Sequence, residues 1–406
     1  MSRRLALPRC LLLLVLAASW ACAPESAEDA PAAPPAAEPG LDLEAIAGML
    51  VERMHLQPGE RVLLVGQGGG RWDALVPLLR EGIAAAGGVD LGAVDVHGAV
   101  LEGTEPTGFA DGLASGPDDG WAEALGGVDV AVKLPGAVPD PAVPTDVYRV
   151  LQDVLRGGQG RTVHFHWAGK TSFEMEELPL DALADRVYQT ALLETDYAGL
   201  AEKLAAFEAA LRQGPVRVTT PAGTDIGFEV GDRPVTRQDG DASAVRAAMA
   251  RNLIDREVEL PAGAARVSPQ LETVEGSIAF PPAIWGGQWV EGLVLRLEGG
   301  RVVEVEATSG RDGVLAEMEA GGEAASTFRE LAVGLNPLLA IPEGEEWIPY
   351  YGYGGGVVRL SLGDNTELGG SVGGGYVRWN FFSDATVTVG GEEWVRDGRL
   401  VGPGAP

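Results

Sequence analysis

The pattern of apolar residues changes near residue 215, and this change constrains the fold more than any other feature of the sequence. Between residues 41 and 212, short apolar segments such as 61–66, 128–133 and 162–167 alternate with segments of helical spacing. Such alternation is typical of an open, mostly parallel sheet covered by helices. From residue 216 onward, strand-like segments are separated by glycine and proline. The sequence therefore predicts an α/β N-terminal domain followed by a β-rich α+β C-terminal domain.

Length and composition agree with this division. The chain has 406 residues, of which 46% are hydrophobic and 22% charged, and this is enough for two domains with their own cores. We expect an export signal at residues 1–22, a linker rich in proline and alanine at 23–40, an α/β domain at 41–195 and a β-rich domain at 196–406.

The first 22 residues have the layout of an export signal. Three arginines precede an apolar run at residues 11–18, which is too short to cross a bilayer. Cys22 is a candidate for lipid modification, and ordinary cleavage after residue 23 is the alternative. Because the segment 23–40 has the composition of a tether, we expect a lipoprotein anchored at Cys22 in the bacterial cell envelope, or else a periplasmic or extracellular protein.

Cysteine and charge exclude several classes of function. Both cysteines, Cys10 and Cys22, fall in the predicted signal, so the body has none for a disulfide, a thiolate nucleophile or a Cys-bound zinc. The chain carries 30 basic and 59 acidic side chains, a formal net charge of −29. Such a charge repels phosphate backbones, and we expect no nucleic-acid partner.

Several short segments of the second half occur in the order found in one peptidase family. They are residues 218–226, 260–263, 274–277, 329–337, 356–363, 376–381 and 396–398. Together they resemble the aminopeptidase T family of thermophilic metallopeptidases, which includes aminopeptidase S. The resemblance extends over residues 216–401 and is weaker over 41–212.

This resemblance implies a set of site positions. Members of that family are similar in binding two divalent metals (zinc, cobalt or manganese) through two glutamates, two histidines and an aspartate, with a tyrosine assisting. The corresponding positions, with the tyrosine fourth, are Ala264, Glu330, Arg359, Thr366, Arg378 and Asn380. Of these positions, only Glu330 has the residue type that the family uses as a metal ligand. An alanine has no donor atom and a guanidinium stays protonated, so we expect no metal cofactor at these positions.

The two arginines suggest what replaces the metals. If both face the old site, Arg359 and Arg378 bring two positive charges close to Glu330. One interpretation is a salt bridge that keeps the pocket folded, because buried charges are normally paired. The other is a pocket that captures a carboxylate or another anion through forked hydrogen bonds, with Asn380 as a neutral donor.

Three functions remain open. The first is a non-catalytic envelope protein that binds a peptide or small anion at the former metal site, or that serves as an assembly partner. The second is an active aminopeptidase with a remodelled metal site that uses Glu330 with Asp364, Glu367 or Asp384. The third is a different hydrolytic or ring-opening chemistry, because some relatives resemble iron-dependent pyridine dioxygenases. The resemblance also implies a homodimer.

Two further groups of residues are candidates for binding. His164 and His166 lie two residues apart on a predicted strand and share a face, a pattern that can bind a metal. With no other histidine nearby in sequence and Trp167 adjacent, we expect them to pack instead. The tyrosines of residues 350–353 lie in a glycine-rich loop, and we expect them to cover a hydrophobic edge rather than line a groove.

Overall fold

The computed structural model describes residues 40–114, 120–137, 147–158, 160–167, 170–172 and 177–405. The predicted signal at residues 1–22, with Cys22, and almost all of the predicted linker lie outside these ranges. Within the described part of the chain, no helix combines the length and the apolar character that crossing a membrane requires.

Helices and strands alternate through the first half of the chain. The helices are α1 (Leu43–Met54), α2 (Leu75–Ala85), α3 (Gly108–Leu113), α4 (Gly120–Leu125), α5 (Val147–Gly157), α6 (Ala182–Leu193) and α7 (Tyr197–Gln213). The strands are β1 (Arg61–Val65), β2 (Val89–Val94), β3 (Val130–Lys133), β4 (Arg161–Phe165), β5 (Lys170–Ser172) and β6 (Glu177–Leu178). The Asp42 and Asp196 side chains accept hydrogen bonds from first-turn N–H groups of α1 and α7. They satisfy donors that a helix start leaves unpaired.

Strands dominate the second half. They are β7 (Val216–Thr219), β8 (Asp225–Phe228), β9 (Val235–Gln238), β10 (Glu257–Leu260), β11 (Ala264–Val267), β12 (Glu275–Ala279), β13 (Ala283–Trp285), β14 (Gln288–Val290), β15 (Val294–Glu298), β16 (Arg301–Glu306), β17 (Phe328–Gly334), β18 (Trp347–Ile348), β19 (Val358–Gly363), β20 (Val377–Arg378), β21 (Phe381–Phe382), β22 (Thr386–Val389), β23 (Glu392–Arg396) and β24 (Arg399–Leu400). The α-helices of this half are α8 (Ala244–Ala248) and α9 (Arg311–Ala325).

The first half forms a parallel sheet that a strand of the second half completes. Its order is β10-β4-β3-β1-β2, and every neighbouring pair is parallel. Strands β3 and β4 are buried along their whole length, as expected for a sheet with both faces covered. The predicted α/β domain is therefore confirmed, although β10 comes from beyond the predicted boundary at residue 195, which lies between α6 and α7.

The second half forms antiparallel sheets, which confirms the predicted β-rich domain. One sheet has the order β20-β19-β17-β11-β9, with β21 also pairing with β19. A larger one has the order β16-β15-β12-β8-β7-β22-β23-β24. Strands β17 and β19 are buried at every residue, yet both carry charged side chains. These central strands hold the candidate site.

The two halves share a continuous core. One cluster of buried apolar side chains extends from Ile46 in α1 to Val395 in β23. Strand β18 of the second half pairs with β5 of the first. The parallel sheet and the sheet around β17 are thereby held together, and a cavity lies where they meet.

Candidate functional site

Strand register places two arginines beside Glu330. Strands β11 and β19 flank β17, and Ala332 lies directly opposite both Arg266 and Arg359. Side chains two residues apart on a strand share a face, so Glu330 lies on the same face as the two arginines. The small Ala332 side chain between them leaves room for both guanidinium groups.

Three guanidinium groups surround the Glu330 carboxylate. Arg266 Nε donates a hydrogen bond of 2.9 Å to Oε2, and Arg329 Nε donates one of 3.3 Å to Oε1. Arg359 Nη2 lies 3.1 Å from Oε1. The Ser361 hydroxyl donates a longer bond of 3.4 Å to the same oxygen. All five side chains are buried, and Glu330 has no exposed surface.

Arg329 reaches this cluster because of an irregularity in β17. Residues adjacent on a strand normally point to opposite faces, yet the ladder between β17 and β19 shifts register at Arg329. Such a bulge leaves one residue unpaired and redirects its side chain. Arg329 also forms an ion pair with Glu367, whose carboxylate lies 3.5 Å from Arg266 Nη2. The cluster therefore holds three guanidinium groups and two carboxylates, with one positive charge in excess.

The cluster keeps Glu330 ionised. Burial alone would raise the pKa of the Glu330 carboxyl, but attraction to Arg266, Arg359 and Arg329 outweighs burial and lowers the pKa far below its ordinary value. The same interaction raises the pKa of Arg266 against the effect of its burial. These charges are consequently fixed across the physiological pH range.

A cavity of about 450 Å³ opens beside the cluster. The first half contributes Tyr148, Arg149, Gln152, Asp153 and His164 to its wall. Strand β10 and the turn before it contribute Ile254, Glu257 and Glu259. The sheet around β17 with its loops contributes Arg266, Tyr351, Tyr353, Arg359, Glu367 and Trp379. The tyrosine loop, expected only to cover a hydrophobic edge, thus supplies two side chains to the cavity.

Some buried hydrogen-bond donors on this wall have no acceptor among the described residues. Arg359 Nε, the Tyr353 hydroxyl and Trp379 Nε1 are buried and have no hydrogen-bond partner in the described part of the chain. Arg359 Nη1 donates to the carbonyl oxygen of Tyr351 at 2.8 Å. The guanidinium carbon lies 5.5 Å from the Tyr353 ring centre and 5.3 Å from that of Trp379, within cation–π range. Buried donors normally find an acceptor, so this wall is suited to an acceptor-bearing ligand.

A second group of side chains converges on the same cavity. His164 lies in β4, directly opposite Glu259 on β10, and His166 is the first residue after β4. The Glu259 carboxylate contacts His166 Nε2 and lies 3.9 Å from His164 Nδ1. Burial would raise the pKa of Glu259, but attraction to His166 and His164 holds it at about 2. Among the described residues, these three are the group of His, Cys, Asp or Glu side chains close enough to hold a metal ion.

The structure separates Arg378 and Asn380 from Glu330. Arg378 lies opposite Leu362, which faces away from Glu330, and its Nη1 donates to Glu317 at 2.9 Å while its guanidinium stacks on a tryptophan ring. Asn380 Nδ2 donates to a backbone carbonyl of β19 at 3.2 Å. The arrangement considered from the sequence, with both arginines beside Glu330, is therefore not formed. Register places Arg378 on the other face, whereas Arg359 lies beside Glu330.

Two of the remaining predicted residues, Ala264 and Thr366, do not line the cavity. Ala264 is completely buried in β11, and Thr366 is exposed with its hydroxyl bonded to Asp364 at 2.6 Å. Of the carboxylates considered for a remodelled metal site with Glu330, Asp384 is exposed, and Glu367 is paired with arginines. No remodelled site of that composition is assembled in the part of the chain that the structure describes.

The two metals implied by the resemblance do not fit these residues. The retained carboxylate of Glu330 is bonded to guanidinium groups, which cannot coordinate a cation and repel it. Ala264 offers no donor atom, and Arg359 places a fixed positive charge where the resemblance implies a histidine ligand. The residues at these positions therefore have a different chemistry from the one that the resemblance implies.

Several residues of the cavity and its charged cluster are not among those predicted from the sequence. Arg266 follows Ala264 by two residues and so lies on the same face of β11. The two-residue period of a strand could have identified Arg266 as a neighbour of the predicted site. Glu259 is a charged residue within an otherwise buried strand, but its position beside His164 depends on a long-range pairing. Arg329 depends on the bulge, for which the sequence carries no clear signal.

A parallel sheet followed by antiparallel sheets, with a charged cavity where they meet, defines a two-domain protein of the aminopeptidase T architecture. The family model described as thermophilic metalloprotease (M29) matches residues 177–338. The predicted resemblance is confirmed over that segment, and the chain is a relative of the M29 aminopeptidases. No curated protein matches the sequence significantly.

Two solved structures share the fold. The structure of 2,5-dihydroxypyridine dioxygenase from Pseudomonas putida KT2440 aligns with a TM-score of 0.58 at 14% identity, covering 89% of this chain and 97% of that one. Wild-type AmpT from Thermus thermophilus aligns with a TM-score of 0.53 at 16% identity, covering 89% of this chain and 99% of AmpT. At such identities the likeness concerns the fold alone.

Proposed function

We propose that this relative of the M29 aminopeptidases binds a short peptide with a free carboxylate in its cavity, and does not hydrolyse peptides by a two-metal mechanism. The observation that carries the proposal is the buried Arg359, which lines the cavity. Its Nε–H group has no hydrogen-bond acceptor among the described residues. A guanidinium binds a carboxylate in a forked geometry, with strong charge-assisted hydrogen bonds.

The charges on the cavity wall favour a zwitterionic ligand. The sheet around β17 contributes the guanidinium groups of Arg266 and Arg359, whereas Asp153, Glu257 and Glu259 belong to α5 and β10 of the other wall. A short peptide carries a carboxylate at one end and an ammonium group at the other. The peptide carboxylate would lie near the guanidinium groups of one wall, and the ammonium group would lie near the carboxylates of the other.

The size and the aromatic lining agree with such a ligand. A cavity of about 450 Å³ lies within the roughly 300–1,000 Å³ of small-molecule sites. Tyr351, Tyr353 and Trp379 present aromatic surface beside the guanidinium groups, and aromatic rings commonly pack against peptide side chains at binding sites.

Calorimetric titration of the full chain with trialanine and with trialanine amide tests the proposal. The two probes differ only at the carboxylate, and we expect the acid to bind more tightly by about 10-fold to 100-fold, the equivalent of a charged hydrogen bond. Arg359→Gln should abolish this preference. Arg378→Gln is the matched control, because that arginine lies outside the cavity, and it should retain the preference.

Two results would overturn the proposal. One is equal binding, or no binding, of the two peptides by the wild-type chain when circular dichroism shows that it is folded. The other is turnover of leucine p-nitroanilide with two bound equivalents of zinc, cobalt or manganese, which would restore the two-metal mechanism.

We also propose that the protein acts in the bacterial cell envelope as a lipoprotein anchored at Cys22, and that it forms a homodimer. The first proposal is supported by the layout of residues 1–40, and the second by the resemblance to aminopeptidase T proteins. Membrane fractionation of wild type and Cys22→Ser tests the anchor, since a cysteine-linked lipid should be lost in the variant. Light scattering of the purified protein tests the dimer.

A further inference from the structure

We infer that His164, His166 and Glu259 form a binding site for one divalent transition-metal ion at the cavity. None of the three residues corresponds to a ligand position of the former two-metal site, which belongs to other strands. The inference shares only Glu259 with the residues proposed to bind the peptide, and it does not depend on that binding.

The backbone holds these side chains on one face. His164 is paired with Glu259 across the parallel ladder between β4 and β10. His166 lies two residues further along, and its N–H continues the pairing by donating to the Leu260 carbonyl at 2.7 Å. Donors on paired strands are held more rigidly than donors on loops. The pairing of β4 with β10 therefore brings the three groups together.

The spacing is close to that of a metal site. The three candidate ligand atoms lie within 4.8 Å of one another. Ligands bonded at about 2.0–2.2 Å to a tetrahedral zinc are roughly 3.4 Å apart. Glu259 Oε2 lies 3.9 Å from His164 Nδ1, close to that separation, and it contacts His166 Nε2 directly.

The surroundings orient the histidines. The His166 ring is stacked on Tyr350, with ring centres 4.6 Å apart and planes inclined by 16°, and Tyr351 meets it edge-on. Both histidines and Glu259 are largely shielded, with side-chain exposures of 10% for His164, 15% for His166 and 5% for Glu259. A shielded site of this kind limits competition from water for the ligand atoms.

The ligand set selects the class of metal. Two imidazoles and one carboxylate suit zinc and other first-row transition metals, whereas calcium and magnesium prefer oxygen ligands. Three protein ligands leave at least one coordination position free, as in catalytic zinc sites with two histidines and a glutamate. Because His164 and Glu259 line the cavity, the free position would be accessible from it.

Zinc titration of the full chain after removal of metal by a chelator tests the inference. Competition against a chromophoric chelator should show one tightly bound equivalent in the wild type. Glu259→Gln and His164→Ala should each weaken zinc binding by at least about 100-fold, the upper end of the effect of a supporting residue. His97→Ala replaces an exposed histidine and should bind zinc like the wild type.

Further measurements separate metal binding from folding and from the peptide proposal. Zinc should raise the melting temperature of the wild type and of His97→Ala, but not that of Glu259→Gln. In the unmutated protein, the visible absorption of bound cobalt should show the intensity of a site with four or five ligands. Arg359→Gln should keep its zinc affinity even if peptide binding is lost. A wild-type chain that binds no stoichiometric zinc, or a Glu259→Gln variant that binds it equally well, would reduce the group to a buried ion pair and overturn the inference.

Discussion

Arg359 Nη2 lies 3.1 Å from Oε1 of Glu330, at a position where the aminopeptidase T resemblance implies a histidine metal ligand. The carboxylate has no exposed surface and the arginine almost none. A buried carboxylate requires a positive partner, which a metal ion or a guanidinium group can supply. Here fixed protein charge holds the retained glutamate, and the site keeps its electrostatic balance without metal ligands.

Replacing Glu330 with glutamine should destabilise the protein strongly. The change leaves three buried guanidinium groups with one fewer carboxylate, and removing one partner of a buried pair costs about 3–5 kcal/mol. The free energy of unfolding in urea at neutral pH measures the loss. Glu304→Gln breaks an exposed ion pair with Arg296 and should cost less than about 1 kcal/mol. Similar losses in both variants would contradict the description of the cluster.

A double-mutant cycle should distinguish the two arginines that the sequence placed together. Arg359→Gln and Glu330→Gln should be coupled by about 0.5–3 kcal/mol, because the two side chains interact directly. Arg378→Gln should add to Glu330→Gln within about 0.5 kcal/mol, since Arg378 is paired with Glu317 instead. Urea unfolding of the single and double variants measures both couplings. A coupling of Arg378 equal to that of Arg359 would refute the assigned positions.

Stability should fall in acid through the buried carboxylates. In the folded protein the pKa of Glu259 is about 2, against an ordinary value of 4.5, and that of Glu330 is also lowered. Between these values the unfolded chain binds more protons than the folded one, so the free energy of unfolding decreases as the pH falls below about 4.5. Urea unfolding with a chelator present, from neutral pH down to about pH 3, should show this decline.

The contribution of Glu259 to that decline can be isolated. Glu259→Gln should flatten the dependence of stability on pH in the acidic range, because the group that titrates is removed. Glu304→Gln, at an exposed position, should leave the slope of the wild type unchanged. Parallel curves for wild type and Glu259→Gln would show that the pKa of Glu259 is not lowered by folding.

Gly356 should tolerate no side chain. Its φ of +88° lies in the left-handed region, and a Cβ would lie 2.0 Å from the carbonyl oxygen of Gly398. Gly375 has a similar φ of +75° but no atom near the Cβ position. Gly375→Ala should therefore cost about 1 kcal/mol from backbone strain alone, and Gly356→Ala several-fold more. Melting temperatures of the two variants give the comparison, and equal shifts would contradict the close approach.

The glycine-rich strand motifs were informative because backbone geometry limits what can replace them. Residues 356–363 and 376–381 lie in one sheet, and the structure pairs the strand of Glu330 with that of Arg359. Arg378 lies across from Leu362, on the other face. A shift of one residue in register reverses the face of a side chain, and local sequence does not fix that register.

The sequence alone determined the two-part architecture, because the alternation of apolar residues is a local property. Its resemblance to the aminopeptidase T family implied which metal ligands are replaced. Tertiary structure decided which charges meet. Arg329 joins the cluster through a bulge, Arg266 through pairing of β11 with β17, and Glu259 through the parallel pairing of β10 with β4. Each of these contacts joins strands that lie apart in sequence or changes the face of a side chain, and long-range pairing emerges only when the whole core packs.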